Sequence, residues 1–243
     1  MAVVDHGSGR LVWAREGRDA ATVDAFFAEL GAERIAQLTH VSADMGSFLH
    51  RSLRRWLQPQ TRVCIDPFHV VQLVGQALDA VRLETWNQAR RRGDTADARR
   101  LKGARFALWK RPERLTGRQS AKLEEIAELN APLYHAYLLK EQLRLVIHEH
   151  DPDIAPGQLD GWLQQAAHSG LRPFVTAAAT ITKHREQILQ AITERVTNAR
   201  VEAVNTTLRL IIRRAYGFHS SAPMIALAML KLGGPQPPLP TTA

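Results

Sequence analysis

The sequence predicts a helix-dominated α/β protein, with a small mixed sheet at its start followed by a long all-helical region. Three observations carry this. The first 66 residues alternate short apolar runs with helix-like stretches in the order strand, strand, helix, strand, helix, strand, the signature of a mixed sheet covered by helices. From His69 to about Met229 apolar residues recur at three-to-four spacing, the helical period. The 243 residues are 45% hydrophobic and 23% charged, an ordinary globular composition with enough chain for a buried core.

Taken in order, Ala2–Asp5 and Leu11–Ala14 are strand-like, and Gly7, Ser8 and Gly9 between them read as a hairpin turn. Asp19 is placed to cap a helix that runs through Leu30, with Val23, Phe26, Phe27 and Leu30 on one face and Gly31 as its stop. The stretches QLTHVSAD and RVCID are apolar and each ends at an aspartate, Asp44 and Asp66, with a helical piece over Phe48–Leu57 between them. After Pro67 the helical region is broken at Gly93, at Pro112, in the DPDIAPG stretch and from Gly170 to Pro173. Gln119–His148 reads as one long amphipathic helix on Leu123, Ile126, Leu129, Leu133, Tyr137 and Leu143. Leu159–His168 and Phe174–Ile192 read as two more. Asn198 is an N-cap for a helix whose polar stripe is Glu202, Asn205, Arg209 and Arg213, opposed by Val201, Val204, Leu208, Ile211 and Ile212. The organisation is therefore residues 1–70, a helical insertion over 71–195, closing helices over 196–232, and a disordered tail over 233–243.

The formal charge is +8, and it is not spread evenly. Residues 90–118 hold eleven Lys and Arg against three Asp and Glu, so this one segment carries the whole excess. A local basic stripe neutralises adjacent phosphates and releases their counterions, which a merely high pI does not do. Arg99, Arg100, Lys102, Arg105, Lys110 and Arg111 are the candidate DNA-binding residues, with Phe106 and Trp109 offering ring faces among them. The competing explanation is a solvated helix face in an arginine-rich chain, since 26 of the 32 basic residues are Arg. Cys64 is the only cysteine, which excludes an internal disulfide and a Cys-based zinc cluster. No apolar run approaches the roughly 20 residues of a bilayer span, and the first residues lack the basic-then-apolar pattern of a secretion signal. A soluble protein of a reducing, cytoplasmic compartment with no membrane partner is expected.

Carboxylates at the ends of strands project into the crevice where open α/β sheets bind ligands, which makes Asp44 and Asp66 candidates for chemistry. Capping of the next helix is the alternative. It is about evenly balanced for Asp66, which precedes Pro67, and weaker for Asp44, which precedes Met45 and Gly46. Glu202 could join them around Mg²⁺, a hard cation that prefers carboxylate oxygens, though its stripe taken alone is an exposed helix face. His148-Glu149-His150-Asp151 lacks the i,i+4 histidine pair of a zinc helix, no GxSxG elbow exists, and the PxxP of the tail reads as disorder.

The strings VVDHGSGRLVWAREGRD, THVSADMG, CIDPFHVVQL, RLKGARFALWKRPERLT, LNAPLYHAYLLKEQLR and NARVEAVNTTLRLIIRRAYGF, in this order from about Val3 to Leu232, resemble the ISL3 family of bacterial insertion-sequence transposases. The resemblance implies a DDE-type enzyme with a ribonuclease-H-like core, here incomplete, interrupted by a large helical insertion. It implies a two-metal Mg²⁺ (or Mn²⁺) site that cleaves DNA and transfers the freed strand. By motif, Asp44 is the second acid and Glu202 the third, both metal ligands. Asp66 belongs to the catalytic group, with His69, Asn205 and Arg209 in support. A second alignment makes Asp5, Asp66 and Glu202 the triad. The implied partner is duplex DNA, both element ends and target, with a second copy of the chain admitted, in the bacterial nucleoid. The family's first strand with its Asp, and its zinc-binding and helix-turn-helix segments, have no counterpart here, and Ala199 and Ala203 stand where the family has Gly. A truncated or decayed copy is therefore expected. A non-catalytic DNA-binding remnant that co-assembles with an intact transposase is the alternative, and a helical module for an acidic protein is a third.

Overall fold

The computed structural model describes residues 1–101, 103–196 and 199–234. Three expectations therefore fall outside the described residues: the phosphate contact of Lys102, the N-cap of Asn198 and the nature of the tail beyond Gly234. The elements in chain order are β1 (Ala2–Val4), β2 (Leu11–Ala14), α1 (Ala20–Leu30), α2 (Ala32–Ala36), β3 (His40–Ala43), α3 (Ser47–Trp56), β4 (Arg62–Ile65) and α4 (Pro67–Arg91). They continue with α5 (Thr95–Leu101), α6 (Ala104–Leu108), a 3₁₀ turn at Pro112–Arg114, α7 (Gly117–Leu129), α8 (Ala131–Ile147) and α9 (Ala155–Ala167). The last are α10 (Arg172–Lys183), α11 (Arg185–Thr193), α12 (Ala199–Arg214) and α13 (Ser221–Leu232). Packing divides them into two units: Met1–Val63 with the described part of Thr197–Ala243, and Cys64–Val196.

In the first unit, β1 and β2 form an antiparallel hairpin with Ala2 opposite Ala14 and Val3 opposite Trp13. Its turn is built as the Gly-Ser-Gly string requires, with the Asp5 carboxylate accepting from the backbone N–H of Gly7 (3.2 Å) and Ser8 (2.8 Å). Asp19 caps α1 by accepting from the Thr22 N–H, and the Gly31 N–H closes that helix on the Phe27 carbonyl. Two apolar clusters hold the unit. Val23, Phe27, Ile35 and Leu53 gather α1, α2 and α3, with Phe27 stacked on Trp56 at 6.0 Å between ring centroids. Leu11, Val204 and Ala228 gather the hairpin, α12 and α13. Among the described residues the expected single mixed sheet is replaced by two separate ladders, β1 with β2 and β3 with β4. The reason lies in these clusters, because the hairpin buries its apolar side under α12 and α13, whereas Val41 and Ala43 of β3 pack with α1 and α3.

The second unit is helical after the end of β4. The 25-residue α4 buries Val70, Val74, Ala77, Leu78 and Val81 along one stripe and packs against α8 and α10. The long helix expected over Gln119–His148 is two helices. Asn130 leaves the helical region (φ −145°, ψ 78°), its N–H ends α7 on the Ile126 carbonyl, and its side chain starts α8 by accepting from the Leu133 N–H. Pro132 then enters the first turn of α8, where its missing N–H costs nothing, whereas a continuous helix would place it in an interior position. Phe174–Ile192 is likewise divided, at His184. No Gly or Pro marks that break; α11 turns there to pack on α9 and α4, and Arg185 is fastened to Asp160 of α9 by paired hydrogen bonds of 2.6 and 2.8 Å. Helix α9 also begins at Ala155, earlier than expected, because Pro156 sits in its first turn as a starter. No helix among the described residues is long and apolar enough to cross a membrane.

Candidate functional site

Asp44 follows β3, where the strand hands over to α3. Its Oδ1 accepts from the Gly46 N–H (2.8 Å), and its backbone carbonyl accepts from Nε2 of the buried His50 (2.9 Å). A methyl group at Gly46 would come within 2.8 Å of that same Oδ1, so the glycine of SADMG is required for the carboxylate to hold its place. Asp66 follows β4, is buried, and caps α4 with Oδ1 accepting from the Phe68 N–H (3.0 Å). His69 is half-buried one turn into that helix, its ring edge-on to Phe68 at 5.7 Å. Each strand-end aspartate thus gives one oxygen to a local N–H.

Glu202 stands in the first turn of α12 and is exposed, as is Arg209, with Asn205 half-buried between them. The opposite face of the helix buries Val204 and Ile211. The guanidinium of Arg200 reaches back to the carbonyls of His6 and Gly7 and ties the start of α12 to the hairpin turn. Asp5 lies at that turn with both carboxylate oxygens engaged, Oδ1 by Gly7 and Oδ2 by the N–H and hydroxyl of Ser8. The Ser8 hydroxyl, then the two amides, hold its carboxyl below the ordinary carboxylate range. Asp44 and Glu202 belong to the first unit, Asp66 and His69 to the second. Carboxylates are the right donors for a hard divalent cation. Among the described residues, however, no three His, Cys, Asp or Glu side chains converge as a metal site would require.

The basic segment covers the end of α4, α5, α6 and the start of α7, and Arg99, Arg100, Arg105, Lys110 and Arg111 are all exposed. Two of its arginines lie on indoles, Arg90 over Trp86 at 4.8 Å and Arg105 over Trp109 at 3.8 Å. A cleft of about 330 Å³ opens between α4 and α5, lined by Trp86, Arg90, Asp94, Thr95 and Arg99 among others. Arg100 is partly neutralised by Asp97 (3.5 Å) and Glu125 (3.7 Å).

Beneath this surface lies a group of charges that sequence reasoning missed. Glu141 on α8 is buried, with Lys140 as one ion-pair partner and Arg144 Nε on its Oε2 at 2.6 Å as the other. Lys140 Nζ also donates to the carbonyls of Leu108 (2.8 Å) and Lys110 (3.3 Å), closing the C-terminal end of α6. Arg144 extends the network to Glu113 at 3.1 Å. Burial lowers the Lys140 ammonium from its ordinary value and pushes the Tyr137 phenol up to about 12. The available signal was the charged pair Lys140-Glu141 directly after the apolar AYLL of YHAYLLKEQLRLVI.

These features sit on a chain with clear relatives. The ISL3-type family model described as "Transposase" matches residues 1–228, and the chain belongs to that family. It is 46% identical to the transposase for insertion sequence element IS1557 of Mycobacterium tuberculosis, over 98% of this chain and 57% of that protein. It is 30% identical to the transposase for insertion sequence element IS1001 of Bordetella parapertussis, over 89% of this chain and 53% of the relative. The chain thus spans about half the length of the curated relatives it matches. No solved structure matches it.

Proposed function

We propose that this chain works as part of an insertion-sequence transposase, gripping DNA through residues 90–118 and cutting and joining it by metal-dependent phosphoryl transfer on a ribonuclease-H-like core. The observation that carries the proposal is similarity to insertion-sequence transposases along nearly the whole chain, hairpin, strand-end aspartates, basic segment and Glu202 helix included. In this reading Asp44 and Glu202 are the magnesium or manganese ligands of the first unit, and Asp66 is the further acid to test. The described residues do not by themselves gather a complete ligand set.

The test is strand nicking of a duplex that carries the element's ends, with Mg²⁺ or Mn²⁺. Metal-dependent nicks that vanish in Asp44→Ala and Glu202→Ala are expected. Absence of metal-dependent cleavage, with no change on Glu202→Ala, would overturn the catalytic part. A specific observation supports a second reading, a DNA-binding chain without catalysis: Asp44 and Asp66 each spend an oxygen on a turn, and no trio of ligands converges among the described residues. Salt-sensitive DNA binding without nicking would select it.

A further inference from the structure

Helix α6 and the residue that caps it carry two aromatic rings on their solvent side. Ala104, Ala107 and Leu108 are buried, while Arg105, Phe106 and Trp109 face solvent, with Phe106 65% and Trp109 49% exposed. Singly exposed apolar residues are ordinary on a protein surface, and what sets this pair apart is its support and its basic surroundings. Here the support is explicit. Gly103 (φ 86°) begins the helix in a left-handed conformation that admits glycine without strain, and the half-buried Lys140 fastens its other end through the Leu108 and Lys110 carbonyls. Arg105 lies across Trp109 at 3.8 Å, which fixes the indole and sets a cation beside it, and the exposed Lys110 and Arg111 follow. Two exposed rings therefore lie within a strip of positive charge, the indole backed on one face by a guanidinium.

Phosphate contacts alone favour duplex, whose charge density is higher than that of a single strand. Ring faces change that balance, because bases inside a duplex already stack on one another and present only their edges, whereas unpaired bases offer their faces. We infer that the outward face of α6 is a stacking platform for unpaired nucleotides, so that this segment takes single-stranded or frayed DNA in preference to intact duplex. The inference rests on the DNA-handling function proposed above and deepens it by naming the form of DNA the segment receives.

The experiment is fluorescence anisotropy with the whole chain, comparing a labelled oligothymidine with a mixed-sequence duplex of equal length at two salt concentrations. Tighter binding of the single strand is expected, and Phe106→Ala and Trp109→Ala should each weaken it by roughly fivefold or more, since one base–aromatic stack is worth that much. The loss on the single strand should exceed any loss on the duplex in both. Phe106→Tyr, which keeps the ring, should bind like the parent, and Phe106→Leu, which keeps only bulk, should behave like the alanine variant. Equal losses on both substrates, or no loss on the single strand, overturn the stacking platform while leaving DNA binding intact. Absence of salt-dependent binding to either substrate overturns the DNA reading itself.

Discussion

Replacing Lys140 with Met keeps the length of the side chain and removes its charge, which isolates what the ammonium does for α6. Its side chain is only 10% exposed and is paired with an equally buried Glu141, and it donates to the carbonyls of Leu108 and Lys110. The Lys140–Glu141 pair lies within α8 and is unchanged when α6 opens, so only the hydrogen bonds to the α6 carbonyls bear on that opening. Hydrogen bonds from a charged donor contribute about 1.5–3 kcal/mol, a change of roughly 10- to 100-fold in a local opening equilibrium. Because the effect is confined to the end of α6, amide hydrogen exchange reads it directly. Protection of the Trp109 and Lys110 amides, which donate to Arg105 and Ala107, should fall by that factor, with α10 unaffected. Unchanged protection at Trp109 and Lys110 would refute the assignment of Lys140 as the anchor of α6.

Other expectations follow from the same interior. The Tyr137 hydroxyl is buried without a hydrogen-bond partner among the described residues, so Tyr137→Phe should be at least as stable as the parent at neutral pH by denaturant unfolding. Its phenol is held neutral up to about 12 in the folded chain against about 10 unfolded, so this stabilisation is complete below about pH 10. It is lost as pH rises toward 12, and the parent should lose stability relative to the Phe variant only above pH 10, which melting curves across that range will read. Asn130→Ala removes the cap of α8 and should cost about 1 kcal/mol, measured as a lowered unfolding midpoint of the helical unit. Phe174→Ala empties a fully buried site on α10 and should cost about 3–5 kcal/mol by the same measurement.

Local chemistry was legible wherever a residue acts on its own neighbourhood. The Asp19 cap, the Gly31 stop and the Gly-Ser-Gly hairpin are written in adjacent residues and stand in the structure. So is the helical nature of the chain after Pro67. The break at Asn130 was hidden because Leu129 and Leu133 keep the helical period across it, and periodicity does not register a change of helix axis. The break at His184 is set by the fork of Arg185 on Asp160, a partner 25 residues away. The division into two ladders was equally illegible, since strand pairing depends on which helices cover each strand. Of the acids, Asp66 as a cap was foreseeable from the following proline, while the grip of Asp44 on Gly46 was not, because Met45 and Gly46 carry no helix-start signal like that proline.

The salt dependence of duplex binding tests the central claim most directly. For the parent, log affinity should fall linearly and steeply with log salt, by about 0.9 per phosphate neutralised. Replacing Arg99, Arg105, Lys110 and Arg111 with Gln should flatten that line by up to about 0.9 per contact removed. A binding constant indifferent to salt, or a slope the four replacements leave untouched, would contradict the account.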